Sequence, residues 1–160
     1  MFLKSYVELA VDFERVRASL QLRPERWLHG LPVEMEREGA RLLSAAGVEV
    51  GGRRVHGPFW MEVGDPLATA RVLSIPFRLP GHEGLFEAME GSLDAAWLGA
   101  GRTHLALAAQ YQAPSTATDA NLHHRVAEAA AKRFLEGLAG RLAAEASATG
   151  PSTRYAGLHS

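Results

Sequence analysis

Apolar and polar residues alternate along the first eleven positions, which predicts a strand over residues 2–11. One face is apolar and comprises Leu3, Val7, Leu9 and Val11. The other face comprises Lys4, Tyr6 and Glu8. Asp12 follows at a favourable N-cap position for a short helix. Proline at position 24 interrupts that helix and opens a second one through Trp27, which Gly30 and Pro32 are expected to end.

Five further segments of strand length follow, each bounded by glycine- or proline-rich turn residues. The links between them hold two to five residues, which suits hairpins and is too short for a crossover helix. The pattern therefore predicts an antiparallel meander. Its strands are expected over residues 41–50, 53–63, 68–79, 85–98 and 102–113.

The period then changes, and apolar residues recur at every fourth position over residues 118–146. This stripe predicts one long helix with Thr118 or Asp119 as its N-cap. Gly137 and Gly140 inside it either allow a close approach to the sheet or have no structural role. Residues 147–160 are expected to be a disordered tail, so the chain divides into one domain at 1–146 and a tail. The stripe comprises Leu122, Val126, Ala130, Phe134, Leu138 and Leu142.

Composition narrows the function classes. A chain of 160 residues is one domain's worth. Seventeen basic and eighteen acidic residues give a net charge of −1, which argues against a nucleic-acid partner. The absence of cysteine excludes disulfides and thiolate metal sites and suits a cytoplasmic protein. No apolar run approaches the ~18 residues of a membrane span, so we expect no integral membrane segment.

The order of elements resembles the helix-grip fold of the START-like superfamily, also called SRPBCC or polyketide cyclase-like. The resemblance is carried by the opening strand that runs into Asp12, by Trp27 after the break at Pro24, and by the closing stretch RVAEAAAKRFLEGLAGRLAAE. It implies an α+β fold, with a curved six- to seven-stranded antiparallel sheet around a long C-terminal helix. Two short helices would follow the first strand, and an apolar cavity would lie between sheet and helix. Members bind lipids, sterols or polyketides, and some are cyclases, hydrolases or regulators.

Candidate ligand-binding residues lie on the faces of the strands and helix that are expected to be covered. An apolar side chain at such spacing either lines a cavity or fills a core. Tyr111 brings a hydroxyl that would orient a ligand. Arg71 has inward parity and either binds an anionic group or reaches water along its stem. The candidates are Phe59, Met61, Arg71, Leu73, Ile75, Phe77, Met89, Leu93, Trp97, Leu105, Leu107, Tyr111, Val126, Ala130 and Phe134.

Catalytic and metal-binding motifs are missing from the sequence. It has no GxGxxG, GxxxxGK[ST], HExxH or GxSxG pattern, so no catalytic residue, metal or cofactor is assigned. The adjacent pair His123 and His124 is expected to be the solvated start of the last helix, because neighbours on a helix point apart. His82 with Glu83 lies in a proline–glycine loop of the kind that can flank a pocket mouth, where it either acts as a lid or has no part in binding. The remaining polar candidates, His56, His104, Glu62, Glu90 and Asp94, are expected on the wet face of the sheet, with Glu62 pointing inward only if a bulge shifts its strand.

Three functions are open at this point. The first is binding of a small hydrophobic ligand, a lipid, polyketide or similar, between the sheet and the C-terminal helix. The second is an aromatase/cyclase-type enzyme, which works by holding a reactive chain in shape. The third is an interaction module of a larger complex, with residues 80–84 and the tail as contact regions. The expected partner is a small apolar molecule, and the protein is expected to be a monomer or homodimer.

Overall fold

The computed structural model describes residues 1–22, 24–46, 61–79, 88–112 and 119–158. Several sequence-based predictions lie outside these ranges. They concern most of the strand expected at 53–63, the beginning of the strand expected at 85–98, and the loop at 80–84. Phe59, His56, His82 and Glu83 lie outside the described residues as well.

The opening of the chain follows its hydrophobic pattern. Strand β1 spans Phe2–Leu9, and helices α1 and α2 span Phe13–Leu20 and Pro24–Leu28. Asp12 is the N-cap of α1, as predicted, but its main-chain carbonyl forms the cap by accepting the N–H groups of Arg15 and Val16 at 3.1 Å. Pro24 opens α2 because its missing N–H is not needed in a first helical turn.

The short helix that begins at Pro24 ends at Leu28, before Gly30, as predicted. A further helix, α3, which the sequence analysis did not predict, spans Leu31–Ala45, so the beginning of the strand expected at 41–50 is wrong. Gly30 has φ of 76° and turns the chain into the new helix. Pro32 lies in the first turn, where proline begins a helix rather than ending one. Leu31 and Met35, four residues apart, are fully buried and carry the apolar face of α3.

The described strands after α3 form an antiparallel sheet with β1. They are β2 (Glu62–Val63), β3 (Leu67–Ala68), β4 (Val72–Leu79), β5 (Ala88–Gly99) and β6 (Arg102–Gln112). The order across the sheet is β1-β6-β5-β4-β2, and β3 also pairs with β4. Hairpin neighbours therefore lie side by side, and β1 closes the sheet against the last strand. The predicted α+β architecture with a six-stranded antiparallel sheet is confirmed.

One face of the sheet is covered and the other meets solvent. On β4 the odd positions from Leu73 to Leu79 are buried, as predicted, and the pairs Ile75–Leu93 and Leu93–Leu107 continue this layer across β5 and β6. Trp97 departs from the prediction, because its side chain is 44% exposed. The β5–β6 register shifts between Trp97 and Gly99, so the strict alternation of β5 stops there.

Helix α4 spans Ala120–Leu158 and packs against β1 and α3. Its apolar stripe from Val126 to Leu142 is buried, as the four-residue spacing predicts. Helical backbone continues beyond the end expected at residue 146, as far as Leu158. The division into a domain at 1–146 and a tail at 147–160 stays a prediction.

Candidate functional site

The predicted ligand-binding residues are brought together on the covered side of the sheet. The covered faces of the three strands β4, β5 and β6 and the facing side of α4 contribute eleven of them to one continuous cluster of buried side chains. Met61 is half-buried and packs against this cluster. The eleven are Leu73, Ile75, Phe77, Met89, Leu93, Leu105, Leu107, Tyr111, Val126, Ala130 and Phe134. Since a filled core and a closed cavity both bury side chains, their role in binding stays a prediction.

Arg71 and Trp97 lie apart from this cluster, at the surface. The guanidinium carbon of Arg71 lies 4.5 Å from the ring centroid of Trp97, a cation–π arrangement. The main-chain N–H of Trp97 also donates a hydrogen bond to the main-chain carbonyl of Arg71 at 2.8 Å. The inward parity assigned to Arg71 is wrong because β4 begins only at Val72, so the alternation of the strand does not extend to residue 71.

Arg71 and Tyr111 also lie at opposite ends of the strands. Val72 pairs with Ala96 and Ala96 with His104, whereas Tyr111 pairs with Met89 at the other end. The seven-residue step along β6 from His104 to Tyr111 corresponds to roughly 23 Å. The two polar groups expected to converge on one ligand are therefore separated by the length of the sheet.

A polar chain forms instead where β6 meets the first turns of α4. The Tyr111 hydroxyl lies 2.7 Å from Nδ1 of His124, and the two rings are stacked at 9° with centroids 5.9 Å apart. Nε2 of His124 lies 3.1 Å from Oε1 of Glu128, one helical turn further on. Asp119 fixes the start of this helix, because its Oδ1 accepts the N–H of Leu122 at 3.0 Å.

The proton positions follow from the partners. A carboxylate accepts only, so the Nε2 that faces Glu128 carries a hydrogen. The Nδ1 of a neutral His124 is then an acceptor and receives the O–H of Tyr111. Burial, and to a smaller extent the charge of Glu128, raises the pKa of Tyr111, so the phenol is held in its neutral form.

His123 lies beside this chain and is buried, with 4% of its surface exposed. Its ring centroid is 6.1 Å from that of Tyr111. The predicted solvated helix start is therefore wrong for this residue. His123 precedes Ala127 by four positions and so shares the covered face of α4.

The remaining polar candidates lie on the solvent side of the sheet. Glu62 is exposed and forms a 2.7 Å ion pair with Arg78. Asp94 accepts the hydroxyl of Ser74 at 2.6 Å. His104 stacks on Tyr6 with a centroid distance of 5.4 Å. Among the described residues, no group of three or more acidic, histidine or cysteine side chains would hold a metal ion.

No protein-family model matches the chain, and no curated protein matches its sequence. Solved structures are similar over most of the chain. A protein from Thermus thermophilus has 18% identity and a TM-score of 0.53, covering 91% of this chain and 99% of its own. A conserved protein from Geobacillus kaustophilus has 15% identity and a TM-score of 0.54, covering 88% and 93%. The Zhui aromatase/cyclase from a Streptomyces strain has 14% identity and a TM-score of 0.39, covering 94% and 96%.

Three features decide the architecture: the antiparallel sheet, the short helices after its first strand and the long closing helix. The similar solved structures cover nearly the whole chain. The chain has the helix-grip fold. Likenesses at these identities establish the fold and leave the activity open. Within the described part of this helix-grip domain, no helix is long and apolar enough to cross a membrane.

Two residues of the polar chain were missed by the sequence analysis of this helix-grip domain. His124 and Glu128 stand four positions apart, which on a helix places them side by side. That spacing is visible in the sequence and would have indicated the pair. The contact of His124 with Tyr111 depends on how α4 crosses β6, and no local pattern contains it.

Proposed function

We propose that this helix-grip protein binds a small hydrophobic ligand, a lipid, polyketide or similar, between the sheet and α4. The observation that carries the proposal is a wide apolar layer with a phenolic hydroxyl at one end, where Tyr111 meets His124. Ligand sites are mostly apolar with a few placed polar groups. In this proposal the layer supplies affinity, and Tyr111 orients the ligand.

The proposed lining is the eleven-residue cluster together with Met61. Arg71 and Trp97 are not part of the proposed site, because their side chains are exposed at the end of the strands opposite Tyr111. The ligand is therefore expected to place its polar end near Tyr111, where β6 meets α4.

Native mass spectrometry of the protein as purified from cells, followed by organic extraction, tests this proposal. We expect a discrete mass adduct that partitions into organic solvent. A clean apo mass, together with no binding of apolar dyes to the purified protein, would contradict it.

An aromatase/cyclase-type enzyme, the first alternative, would be favoured by polar side chains, such as Arg71 and Tyr111, that converge inside the pocket. Their separation along the sheet removes that pair as its basis. For the second alternative, an interaction module, the expected contact regions were residues 80–84 and the tail. Light scattering with and without residues 147–160 would test self-association and separate a monomer from a homodimer.

A further inference from the structure

Four of the eight large apolar side chains that are exposed among the described residues lie at one end of the sheet. They belong to β3, to the beginning of β4 and to the end of β5. A single exposed apolar side chain is ordinary on a protein surface, whereas a group of them marks a surface that contacts an apolar phase or a partner. We refer to the four as the apolar rim: Leu67, 72% exposed, Val72, 41%, Trp97, 44%, and Leu98, 39%.

The side chains of the apolar rim are neighbours in the sheet. Leu67 pairs with Ser74, so Leu67 and Val72 are diagonal neighbours about 7–8 Å apart. Val72 pairs on its other side with the residue that precedes Trp97. Trp97 and Leu98 lie near the end of β5, just before the turn to β6. The rim is therefore one patch, built from two adjacent turns at the same end of the sheet.

A cation lies within this patch. The guanidinium carbon of Arg71 is 4.5 Å from the ring centroid of Trp97. Among the described residues Arg71 forms no ion pair, whereas Arg102, at the same end of the sheet, is paired with Glu8. The guanidinium of Arg71 therefore has donors available for an anion outside the protein.

Apolar side chains grouped around one arginine match the chemistry of a bilayer surface. Tryptophan favours the boundary between hydrocarbon and headgroups because its ring is apolar while its indole N–H stays hydrated. A guanidinium beside the ring reaches lipid phosphates, with its stem along the apolar surface. An exposed carboxylate, Asp65, lies two positions before Leu67, so net charge alone would not hold the rim at a membrane. The apolar side chains must therefore enter the interface, and Arg71 selects anionic lipid.

We propose that the apolar rim docks this protein onto the surface of bilayers that contain anionic lipid. Trp97 and Leu98 enter the interfacial layer, and Arg71 binds headgroup phosphates. Attachment is reversible, since a small apolar patch gives far weaker binding than a membrane-spanning helix. Docking goes beyond the proposed function and needs no bound ligand. It brings the protein to a phase in which apolar molecules dissolve.

Co-sedimentation with vesicles tests the proposal. Vesicles of phosphatidylcholine are compared with vesicles in which about a third of the lipid is phosphatidylserine. We expect the wild type to partition about fivefold more strongly into the anionic vesicles, which is the effect of one arginine at a charged surface. Arg71→Gln is expected to lose this preference and to keep the weaker binding to phosphatidylcholine.

Trp97 provides the test of insertion. Trp97→Ser is expected to lower partitioning into both kinds of vesicle about tenfold, because the ring no longer leaves water. Phe2→Ser is the matched control, since Phe2 is 58% exposed but pairs with Gln110 at the opposite end of the strands, and its vesicle binding should be unchanged. Circular dichroism checks that each variant is folded.

Tryptophan fluorescence locates the ring in the bilayer. Brominated lipid is expected to quench part of the emission of the wild type. That part should be absent from Trp97→Phe, which keeps an apolar ring and most of the binding.

The outcomes are distinct. Failure of the wild type to sediment with either vesicle, or an equal loss in Trp97→Ser and Phe2→Ser, would overturn membrane docking. Equal partitioning into both vesicles would overturn anionic lipid as the partner. A dimer that depends on Trp97 in light scattering, without vesicle binding, would assign the rim to a second copy of the chain instead. Each of these results leaves the proposed function standing, because native mass spectrometry tests ligand binding separately.

Discussion

Gly137 on α4 faces Leu31 on α3 so closely that a Cβ at position 137 would lie 2.8 Å from Cδ2 of Leu31. Leu31 is 1% exposed, so its side chain has little room to move away. Gly140, one turn further along α4, has nothing within 4 Å of its Cβ position. The two glycines therefore have different surroundings: Gly137 allows the close contact with α3, and Gly140 contacts nothing at its Cβ position. The sequence alone does not distinguish them.

Alanine substitution at the two positions should therefore change the free energy of unfolding in different directions. Gly140→Ala is expected to stabilise the protein by about 0.5–1 kcal/mol, the usual helix-propensity gain. Gly137→Ala gains the same propensity but must displace Leu31, so its free energy of unfolding is expected to fall below that of the wild type. Urea denaturation of both variants measures the difference. Equal stabilisation by both substitutions would show that the contact between α3 and α4 is not tight.

Arg71 provides a second prediction. Because its guanidinium stacks on the exposed ring of Trp97, Arg71→Ala is expected to lower stability by only about 0.5–1 kcal/mol. The ligand adduct should be unchanged. Thermal unfolding measures the stability, and native mass spectrometry measures the adduct. Loss of the adduct in Arg71→Ala would instead support the inward role that the strand parity of residue 71 suggested.

Ala130 tests whether the covered layer encloses a cavity. It is fully buried on the side of α4 that faces the sheet, whereas Ala129 beside it is exposed. If a cavity lies there, Ala130→Phe fills it, lowers ligand occupancy and costs less than about 1 kcal/mol, because the larger side chain finds space. In a filled core the same change should cost about 1–3 kcal/mol through overpacking.

We expect the first of these results for Ala130→Phe. Ala129→Phe is the matched control, since it adds the same ring to the same helix on the solvent side and should leave occupancy unaltered. Native mass spectrometry gives the occupancy and denaturant titration the stability. Strong destabilisation of Ala130→Phe in a protein that carries no adduct would contradict the proposed ligand site.

Much of the fold could be read from the sequence where a single period persisted. The alternation of β4 and the four-residue stripe of α4 each bury one side against a neighbour, so pattern and structure agree. Helix α3 was missed because Pro32 was taken as a terminator although it lies in the first turn. The four-residue spacing of Leu31 and Met35 is visible in the sequence. Predicting their contact with α4 would have required knowing which face of α3 is covered.

The candidate site could be predicted only in part. The apolar residues follow from strand parity, but parity does not apply to Arg71, which precedes β4, and it is interrupted by the register shift next to Trp97. A hydrogen bond joins Tyr111 on β6 to His124 on α4, and such a bond between side chains of two elements depends on how those elements pack. Strand and helix periods contain no information on that distance.

Alkaline titration offers the most direct test of the environment of Tyr111. Burial raises the pKa of Tyr111, and the charge of Glu128 adds to this. The folded protein therefore keeps the Tyr111 proton at pH values where the unfolded chain, with a tyrosine pKa of about 10, has lost it. The resulting contribution to stability is fully present below about pH 10 and is lost as pH rises through the folded-state pKa.

Tyr111→Phe cannot ionise, so its stability is expected to fall less steeply above about pH 10 than that of the wild type. At neutral pH it should be less stable by about 0.5–1.5 kcal/mol, because the hydrogen bond to His124 is lost. The tyrosinate absorbance difference between wild type and Tyr111→Phe isolates the titration of Tyr111, and Glu128→Gln should move that titration to lower pH. Ionisation of Tyr111 at or below the ordinary tyrosine pKa in the folded protein would contradict its buried position near Glu128.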